Sequence, residues 1–154
     1  MGNIASPHKL STDEVDAVQA AWQVVRQDQR SIGQQVMMTL FSENPEYIHK
    51  FKHLQMIAAD QLPYHTALRA HSLSILYVIH SLIDSMDDEE TMRELIRKVA
   101  LTHKPRSVNR DNFQRFEDAF ILVLKKYGID RRTEEAFHKC ILYFTDIYEK
   151  AEDT

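Results

Sequence analysis

The chain has 154 residues, of which 44% are hydrophobic and 27% are charged, and its formal net charge is −4 from 19 basic and 23 acidic residues. A chain of this length forms one ordinary domain whose core is large enough to enclose a cofactor. The acidic balance argues against nucleic acid as a partner, and a single cysteine, Cys140, excludes an intrachain disulfide and any CxxC motif. Only three glycines and four prolines are present, which favours long helices joined by few corners.

The start of the chain has no periodic pattern. We expect a flexible leader at 1–10, a folded domain at 11–150 and a tail at 151–154. Met1 to Ser6 match the M-G-x-x-x-[ST] acceptor pattern for N-myristoylation at Gly2, and an unmodified polar leader is the alternative. There is no secretory signal, and no apolar run reaches the ~20 residues that span a bilayer, so we expect a cytoplasmic protein. If Gly2 is myristoylated, the single acyl chain would attach the protein weakly to membranes.

Apolar residues recur at three- and four-residue intervals along the chain, which predicts helices. Ser11 begins a capping box ahead of the first helix. The second helix starts near Ser31 and contains Gly33, which permits close approach of another backbone. A short helix is predicted from Pro45 to Phe51, followed at 52–62 by a connection with some helical turns.

The second half of the chain continues the helical pattern. A long helix is predicted to start at Pro63, and His71 lies inside its apolar stripe. A turn rich in acidic residues leads into the next helix, and this helix is predicted to end at His103. The reason is that Pro105 disfavours helical geometry at Lys104. Two further helices follow, with Gly128 suited to the turn between them. Since no repeat, low-complexity tract or convincing strand is present, the sequence predicts one all-α domain of six to eight helices.

His71 and His103 are the candidate site residues, because each interrupts the apolar stripe of a separate helix. The chain between them can fold back and direct both imidazoles into one interior space. The alternative for either histidine alone is a core residue bonded to backbone carbonyls. Zinc would need a third or fourth ligand that neither stripe offers. An iron porphyrin needs only one or two axial imidazoles and an apolar slot.

Several separated features agree in order and spacing with one family. From about Leu10 to Tyr148 the chain resembles a globin, most closely the invertebrate intracellular and nerve globins and the neuroglobin-like members. The resemblance is carried by Trp22, Gly33, Phe41, Pro45, Phe51, the distal segment Leu68-Arg69-Ala70-His71-Ser72, the proximal segment from Val99 to Val108, and Phe113. It implies a globin fold of six to eight helices around a heme pocket.

The resemblance also implies the roles of individual residues. His103 would be the proximal iron ligand, and His71 the distal histidine, acting on the iron directly or through a ligand. Ser72 would meet Gly33 at a helix crossing. The porphyrin would be lined by Met37, Phe41, Phe51, Ile75, Val108, Phe113 and Phe116. The implied cofactor is non-covalent heme b (iron protoporphyrin IX), since no CxxCH is present for covalent attachment.

The implied function is reversible O2 binding for storage, transport or intracellular delivery, with CO and NO as further ligands and no catalytic residues. We expect His71 to coordinate the iron when no gas is bound, a bis-histidyl hexacoordinate state, and a pentacoordinate state is the alternative. A second hypothesis is a heme enzyme for NO dioxygenation, nitrite reduction or peroxidase-like turnover, which would need an unknown reductase. A third is a redox or gas sensor at a membrane, supported only by Gly2.

The remaining candidates are expected to play smaller parts. His49 and His53 are expected to be solvated or to face the porphyrin propionates, His65 and His80 to lie on the surface, and Cys140 to pack in the core. The cations expected near the porphyrin carboxylates are Arg69, Lys104, Arg106 and Arg110.

Overall fold

A computed structural model describes residues 8–151. In this range the chain forms seven α-helices and three 3-10 turns. The helices are α1 (Thr12–Gln27), α2 (Gln29–Glu43), α3 (Lys52–Gln55), α4 (Thr66–Asp84), α5 (Glu89–His103), α6 (Arg110–Lys125) and α7 (Arg131–Lys150), and the turns are Pro45–Lys50, Leu62–Tyr64 and Lys104–Arg106. No strand occurs among the described residues, and the predicted all-α fold is confirmed. The Gly2 motif lies outside the described range.

Side-chain caps explain where several helices begin. At α1, Ser11 Oγ accepts a hydrogen bond from the Glu14 amide at 3.2 Å, and Glu14 Oε1 accepts one from the Ser11 amide at 2.8 Å. This is the predicted capping box, and it satisfies amides that the first helical turn leaves without partners. Comparable caps at α5, α6 and α7 come from Asp88, Asn109 and Asp130.

The start of α4 differs from the prediction. Pro63 lies in a 3-10 turn, and α4 begins only at Thr66. His65 has an extended backbone with ψ 137°, and its Nδ1 accepts a hydrogen bond from the Ala67 amide at 3.0 Å. The prediction that Pro63 starts this helix is therefore wrong, because an imidazole cap fixes the start after the proline. The short helix predicted from Pro45 to Phe51 is present as a 3-10 helix, Pro45–Lys50, which ends one residue earlier.

Helices α2 and α4 cross closely at Gly33. A Cβ atom at this position would lie 3.1 Å from Ser72 Cβ and 3.1 Å from Leu76 Cδ1. The predicted meeting of Gly33 with Ser72 is therefore confirmed. Because Ser72 follows His71 directly, this crossing lies next to the candidate distal histidine.

The buried core is divided into two clusters. The first joins α1, α2, α4 and α6 with the first half of α7. The second lies between α5 and α7 and has as its buried members Met92, Ile96, Ala100, Tyr143, Ile147 and Tyr148. Leu10 and Met86 pack against both clusters. The helix with His71 thus belongs to one cluster, and the helix with His103 belongs to the other.

His80 is not the surface residue that the sequence predicts. It is partly buried, and its Nδ1 accepts a hydrogen bond from the Trp22 indole at 3.0 Å, which ties α4 to α1. Cys140 packs against the first cluster as predicted, and burial raises the pKa of its thiol to about 12. No helix among residues 8–151 is long and apolar enough to cross a membrane.

Candidate functional site

His103 is held in one orientation at the end of α5. Its Nδ1 lies 2.8 Å from the Val99 carbonyl oxygen and 2.8 Å from Thr102 Oγ1, and that hydroxyl also donates to the Val99 carbonyl at 3.1 Å. Because a carbonyl oxygen can only accept, the Nδ1 of the neutral ring carries the proton. The lone pair therefore lies on Nε2, where a metal can bind it.

The chain leaves α5 directly after His103. Residues Lys104–Arg106 form a 3-10 turn, and Ser107 follows in the left-handed region with φ 59°. Burial lowers the pKa of His103, the Val99 hydrogen bond opposes this effect, and the positive charge of Arg106 adds to it. The imidazole is therefore neutral at pH 7, as a metal ligand must be.

His71 projects from the second turn of α4 against aromatic rings. Its ring centroid lies 4.9 Å from that of Phe51 in an edge-to-face arrangement, and Phe51 lies 5.4 Å from Phe41. Burial lowers the pKa of His71 to about 4, with smaller contributions from the charges of His53, Arg106 and His103. At pH 7 the ring is neutral, with one N–H donor and one lone pair.

The electrostatic influences connect the two histidines. The charge of His103 lowers the pKa of His71, and Arg106 lowers the pKa of both. Such effects fade with distance. The prediction that His71 and His103 face one interior space stays a prediction.

The predicted porphyrin-lining residues fall on both sides of the divided core. Met37 and Phe41 are buried in the first cluster, against which three more of them pack, namely Phe51, Ile75 and Phe116. Phe113 packs against the second cluster, with its ring centroid 6.2 Å from that of His103. The Val108 carbonyl accepts a hydrogen bond from the Tyr148 hydroxyl at 2.6 Å. Contact of these residues with a porphyrin stays a prediction.

Two of the cations expected near the porphyrin carboxylates bind elsewhere. Lys104 Nζ donates to the Ala151 carbonyl at 2.7 Å and to the Glu149 carbonyl at 3.4 Å, and it lies 5.6 Å from the ring centroid of Tyr148. Arg110 pairs with Asp146 and with Glu149, each at 2.8 Å. Both cations therefore fasten the segment after His103 to the end of α7.

The sequence reasoning missed the contact between His53 and His71. The two ring centroids are 5.1 Å apart, although His53 is exposed as expected. His49 is also exposed, and its Nδ1 lies 3.0 Å from Gln55 Oε1. No signal in the sequence shows that α3 turns His53 toward α4.

A buried carboxylate was also missed. Glu117, on α6 beside Phe116, is the one buried acidic residue among those described. It accepts hydrogen bonds from Gln114 Nε2 at 2.8 Å and from His138 Nδ1 at 2.9 Å. Burial raises the pKa of Glu117, and His138 opposes the shift. Its burial depends on a histidine on the next helix, which local periodicity does not reveal.

The donor set fits a porphyrin better than a free metal ion. Across residues 8–151, no group of three or more histidine, cysteine or acidic side chains could hold a metal. One imidazole with an oriented lone pair and a second neutral imidazole, bordered by aromatic rings, satisfy an iron that already has four porphyrin nitrogens. His103 and His71 are the residues that would hold it.

Comparisons with known proteins show which family the chain belongs to. Residues 34–147 match the family model described as Globin. "Globin-2 B chain" of Anadara inaequivalvis is 28% identical over 113 residues, which cover 73% of this chain and 74% of that protein. "Globin CTT-VI" of Chironomus thummi thummi is 28% identical over 137 residues, covering 86% of this chain and 82% of that protein.

The fold is similar to that of a solved hemoglobin structure. Hemoglobin from the botfly Gasterophilus intestinalis matches with a TM-score of 0.86 at 20% sequence identity, covering 92% of this chain and 98% of that chain. This structural similarity supports the fold alone. The match to the family model, which spans residues 34–147, supports the family. The protein therefore belongs to the globin family, whose members bind diatomic gases such as O2 through heme.

Proposed function

We propose that the protein holds one non-covalent heme b, with His103 as the proximal ligand, and binds O2 reversibly for storage, transport or intracellular delivery. When bound, the heme supplies the iron at which O2, CO or NO is held. The observation that supports this role is the hydrogen bond from His103 Nδ1 to the Val99 carbonyl at 2.8 Å. It leaves Nε2 as the metal-binding atom and prevents rotation of the ring.

The distal residues have the properties that gas binding requires. His71 is neutral at pH 7, because its pKa is lowered to about 4, and it therefore keeps an N–H that can donate to a gas ligand. Met37 and Phe41 are buried, Phe41 against the Phe51 ring, and we expect their apolar side chains to exclude water from this side. Exclusion of water protects ferrous iron from oxidation.

The proximal assignment is tested by His103→Ala. This variant should lose most of its heme during purification, because it removes the oriented Nε2 atom that we assign as the proximal ligand and leaves the iron only the distal imidazole. His49→Ala, which removes an exposed histidine, is the matched control and should keep its heme. A pyridine hemochrome spectrum identifies heme b and measures its stoichiometry. Full retention of heme with an unchanged spectrum in His103→Ala would contradict the proposal.

We further propose that His71 coordinates the iron when no gas is bound. The His71 ring lies against the rings of Phe51 and His53, with centroid distances of 4.9 Å and 5.1 Å. The connection before α4 is anchored by two aliphatic residues, Leu54 and Leu62, both buried. A gas must then displace His71 from the iron. The apparent affinity for the gas is therefore lower, in proportion to the fraction of molecules in which His71 is not bound to the iron.

An absorption spectrum of the ferrous, unliganded protein tests this second proposal. We expect a low-spin spectrum for the wild type. His71→Leu should give a high-spin spectrum and faster CO binding, because the competing ligand is removed. A high-spin wild-type spectrum would refute internal coordination by His71 and leave gas binding by a pentacoordinate iron.

N-myristoylation of Gly2 is a separate proposal that rests on the sequence pattern. Protein made in a eukaryotic host should carry a myristoyl adduct in mass spectrometry, and Gly2→Ala should remove it. A single acyl chain gives weak and reversible membrane binding. An unmodified Gly2 in that host would contradict the proposal and favour a purely cytoplasmic protein.

A further inference from the structure

The outward face of α4 carries no charge. Its exposed positions recur at three- and four-residue intervals, and their side chains are all uncharged, namely Ala70, Ser74, Tyr77, Val78 and Ser81. The whole stretch 70–83 contains no Asp, Glu, Lys or Arg, although 27% of the residues in the chain are charged. A surface helix ordinarily directs charged side chains to water on this side. The outward face of α4 therefore has the composition of a covered surface.

Two large hydrophobic side chains lie at the middle of this face. Tyr77 is 56% exposed and Val78 is 45% exposed. Helices α1, α2, α3 and α5 pack against α4, and they leave these two side chains uncovered. A contact that covers Tyr77 and Val78 would remove apolar surface from water, which is favourable.

The two serines of the face have hydrogen-bond partners within the helix. Ser74 Oγ donates to the Ala70 carbonyl oxygen at 3.0 Å, and Ser81 Oγ donates to the Tyr77 carbonyl oxygen at 3.0 Å. Because each hydroxyl proton is already bonded, a contact that covers the serines leaves no side-chain donor without a partner. The outward face of α4 can therefore be removed from water at low cost.

Opposite charges lie at the two ends of the outward face. Arg69 precedes the face and Asp84 ends α4, and both side chains are exposed. Neither forms an ion pair with another residue of the described range 8–151. Their midpoint falls beside Tyr77, and each lies about 11 Å from it along the helix axis. An antiparallel second helix centred there would place each arginine opposite an aspartate.

We propose that the outward face of α4 binds a second copy of this chain about a two-fold axis near Tyr77. In this dimer the two α4 helices run antiparallel, and Tyr77 and Val78 pack against the same residues of the other copy. The ion pair between Arg69 and Asp84 forms twice, once at each end of the contact. Self-association through this face does not depend on heme binding, because none of its five residues belongs to the candidate site.

A second copy fits this face better than an unrelated partner does. A residue close to a two-fold axis meets the same residue of the other copy, so a charge there would be repelled by its own copy. The uncharged middle of the face meets this condition, and the opposite charges lie at equal distances from it. Two copies with a net charge of −4 each repel one another overall, and an uncharged face reduces that repulsion at the contact.

The size of the face predicts a weak dimer. Residues 69–84 span about 22 Å of a helix that is about 10–12 Å wide, so the helix pair buries less than the ~800 Å² per partner of a standard interface. We therefore expect a reversible dimer with a Kd of about 10–100 μM. Sedimentation velocity of the purified full chain at concentrations from about 1 μM to about 1 mM brackets this Kd. A monomer at every concentration would refute self-association and leave the face to a partner of another kind.

Two matched substitutions locate the contact. Val78→Lys should weaken dimerisation by at least about tenfold, because two ammonium groups would then meet near the axis. Leu122→Lys is the control, because Leu122 lies on α6 and is 43% exposed, and the change in net charge is the same. It should alter the Kd by less than about twofold. Equal weakening by the two variants would show that net charge controls association, which would overturn the proposal.

A charge exchange tests the antiparallel arrangement. Arg69→Glu should raise the Kd by about three- to tenfold at low salt, because each new carboxylate would face Asp84 of the other copy. Asp84→Arg should have a similar effect. The double variant Arg69→Glu/Asp84→Arg restores both ion pairs with exchanged signs and should return the Kd to within about twofold of the wild type. A double variant as weak as the single variants would refute the antiparallel dimer. Heme content and the absorption spectrum of each variant show separately whether the proposed heme function holds.

Discussion

Replacement of Lys104 tests whether the end of α7 stabilises the segment that follows the proximal histidine. The ammonium group of Lys104 bonds to the Ala151 carbonyl at 2.7 Å and lies 5.6 Å from the Tyr148 ring centroid. Lys104→Met keeps most of the aliphatic stem and removes the charge. The carbonyls at the end of α7 then lose a cation that complements their partial negative charge.

The magnitude follows from these contacts. A hydrogen bond from a charged donor contributes about 1.5–3 kcal/mol, and a cation–π contact at an exposed position contributes about 0.5–1 kcal/mol. The second carbonyl contact, at 3.4 Å, is long and adds little. We therefore expect Lys104→Met to lower the free energy of unfolding by about 2–3 kcal/mol, or Tm by roughly 5–10 °C for a chain of this size.

Urea unfolding of the heme-free protein, followed by circular dichroism, measures this effect without a contribution from heme binding. Lys98→Met is the control, because it removes the same charge from an exposed position on α5 and should change stability by less than about 0.5 kcal/mol. In the heme-loaded protein, Lys104→Met should also release heme faster, since His103 is its neighbour. If the two variants were equally stable, the contacts of Lys104 would be inconsequential.

Two further predictions concern other contacts of α1. His80→Phe should destabilise the protein by about 1–3 kcal/mol, because it leaves the buried indole N–H of Trp22 without its acceptor. The fluorescence emission of this single tryptophan should also shift. Unchanged emission and unchanged stability would refute the role of this hydrogen bond. Glu14→Gln should lower the free energy of unfolding by about 1 kcal/mol at pH 7. A hydrogen bond from Lys139 lowers the pKa of Glu14 from 4.5 to about 2, so this stabilisation is present above pH 4.5 and is lost as the pH falls toward 2. Acid unfolding curves of wild type and variant should therefore converge near pH 2, and a difference that persisted there would exclude this carboxylate as its source.

The sequence predicts features that depend on local periodicity and backbone chemistry. The capping box at Ser11, the close approach at Gly33 and the end of α5 at His103 all follow from residues near one another in the chain. The sequence singles out His71 and His103 because each ring replaces an apolar residue in a regular stripe, and their role as a pair stays a prediction.

Features that depend on a distant partner could not be predicted in this way. His80 looks exposed by its helical position, but the Trp22 indole lies above it. Lys104 looks available to a porphyrin carboxylate, but its acceptors are backbone carbonyls at the end of α7, and a backbone carbonyl has no sequence signature. The start of α4 was misplaced because proline is common at the first helical position, whereas here His65 supplies the cap.

The divided core has a consequence for how the molecule assembles and opens. Helix α5 packs through the second cluster onto α7, while α1, α2, α4 and α6 share the first cluster. Contacts made within separate clusters can form and break as separate cooperative units. We therefore expect the amides of α5 to exchange with solvent independently of the amides in the first cluster. A cofactor bound by His71 and His103, as we propose, would connect the two units and should slow the exchange of α5.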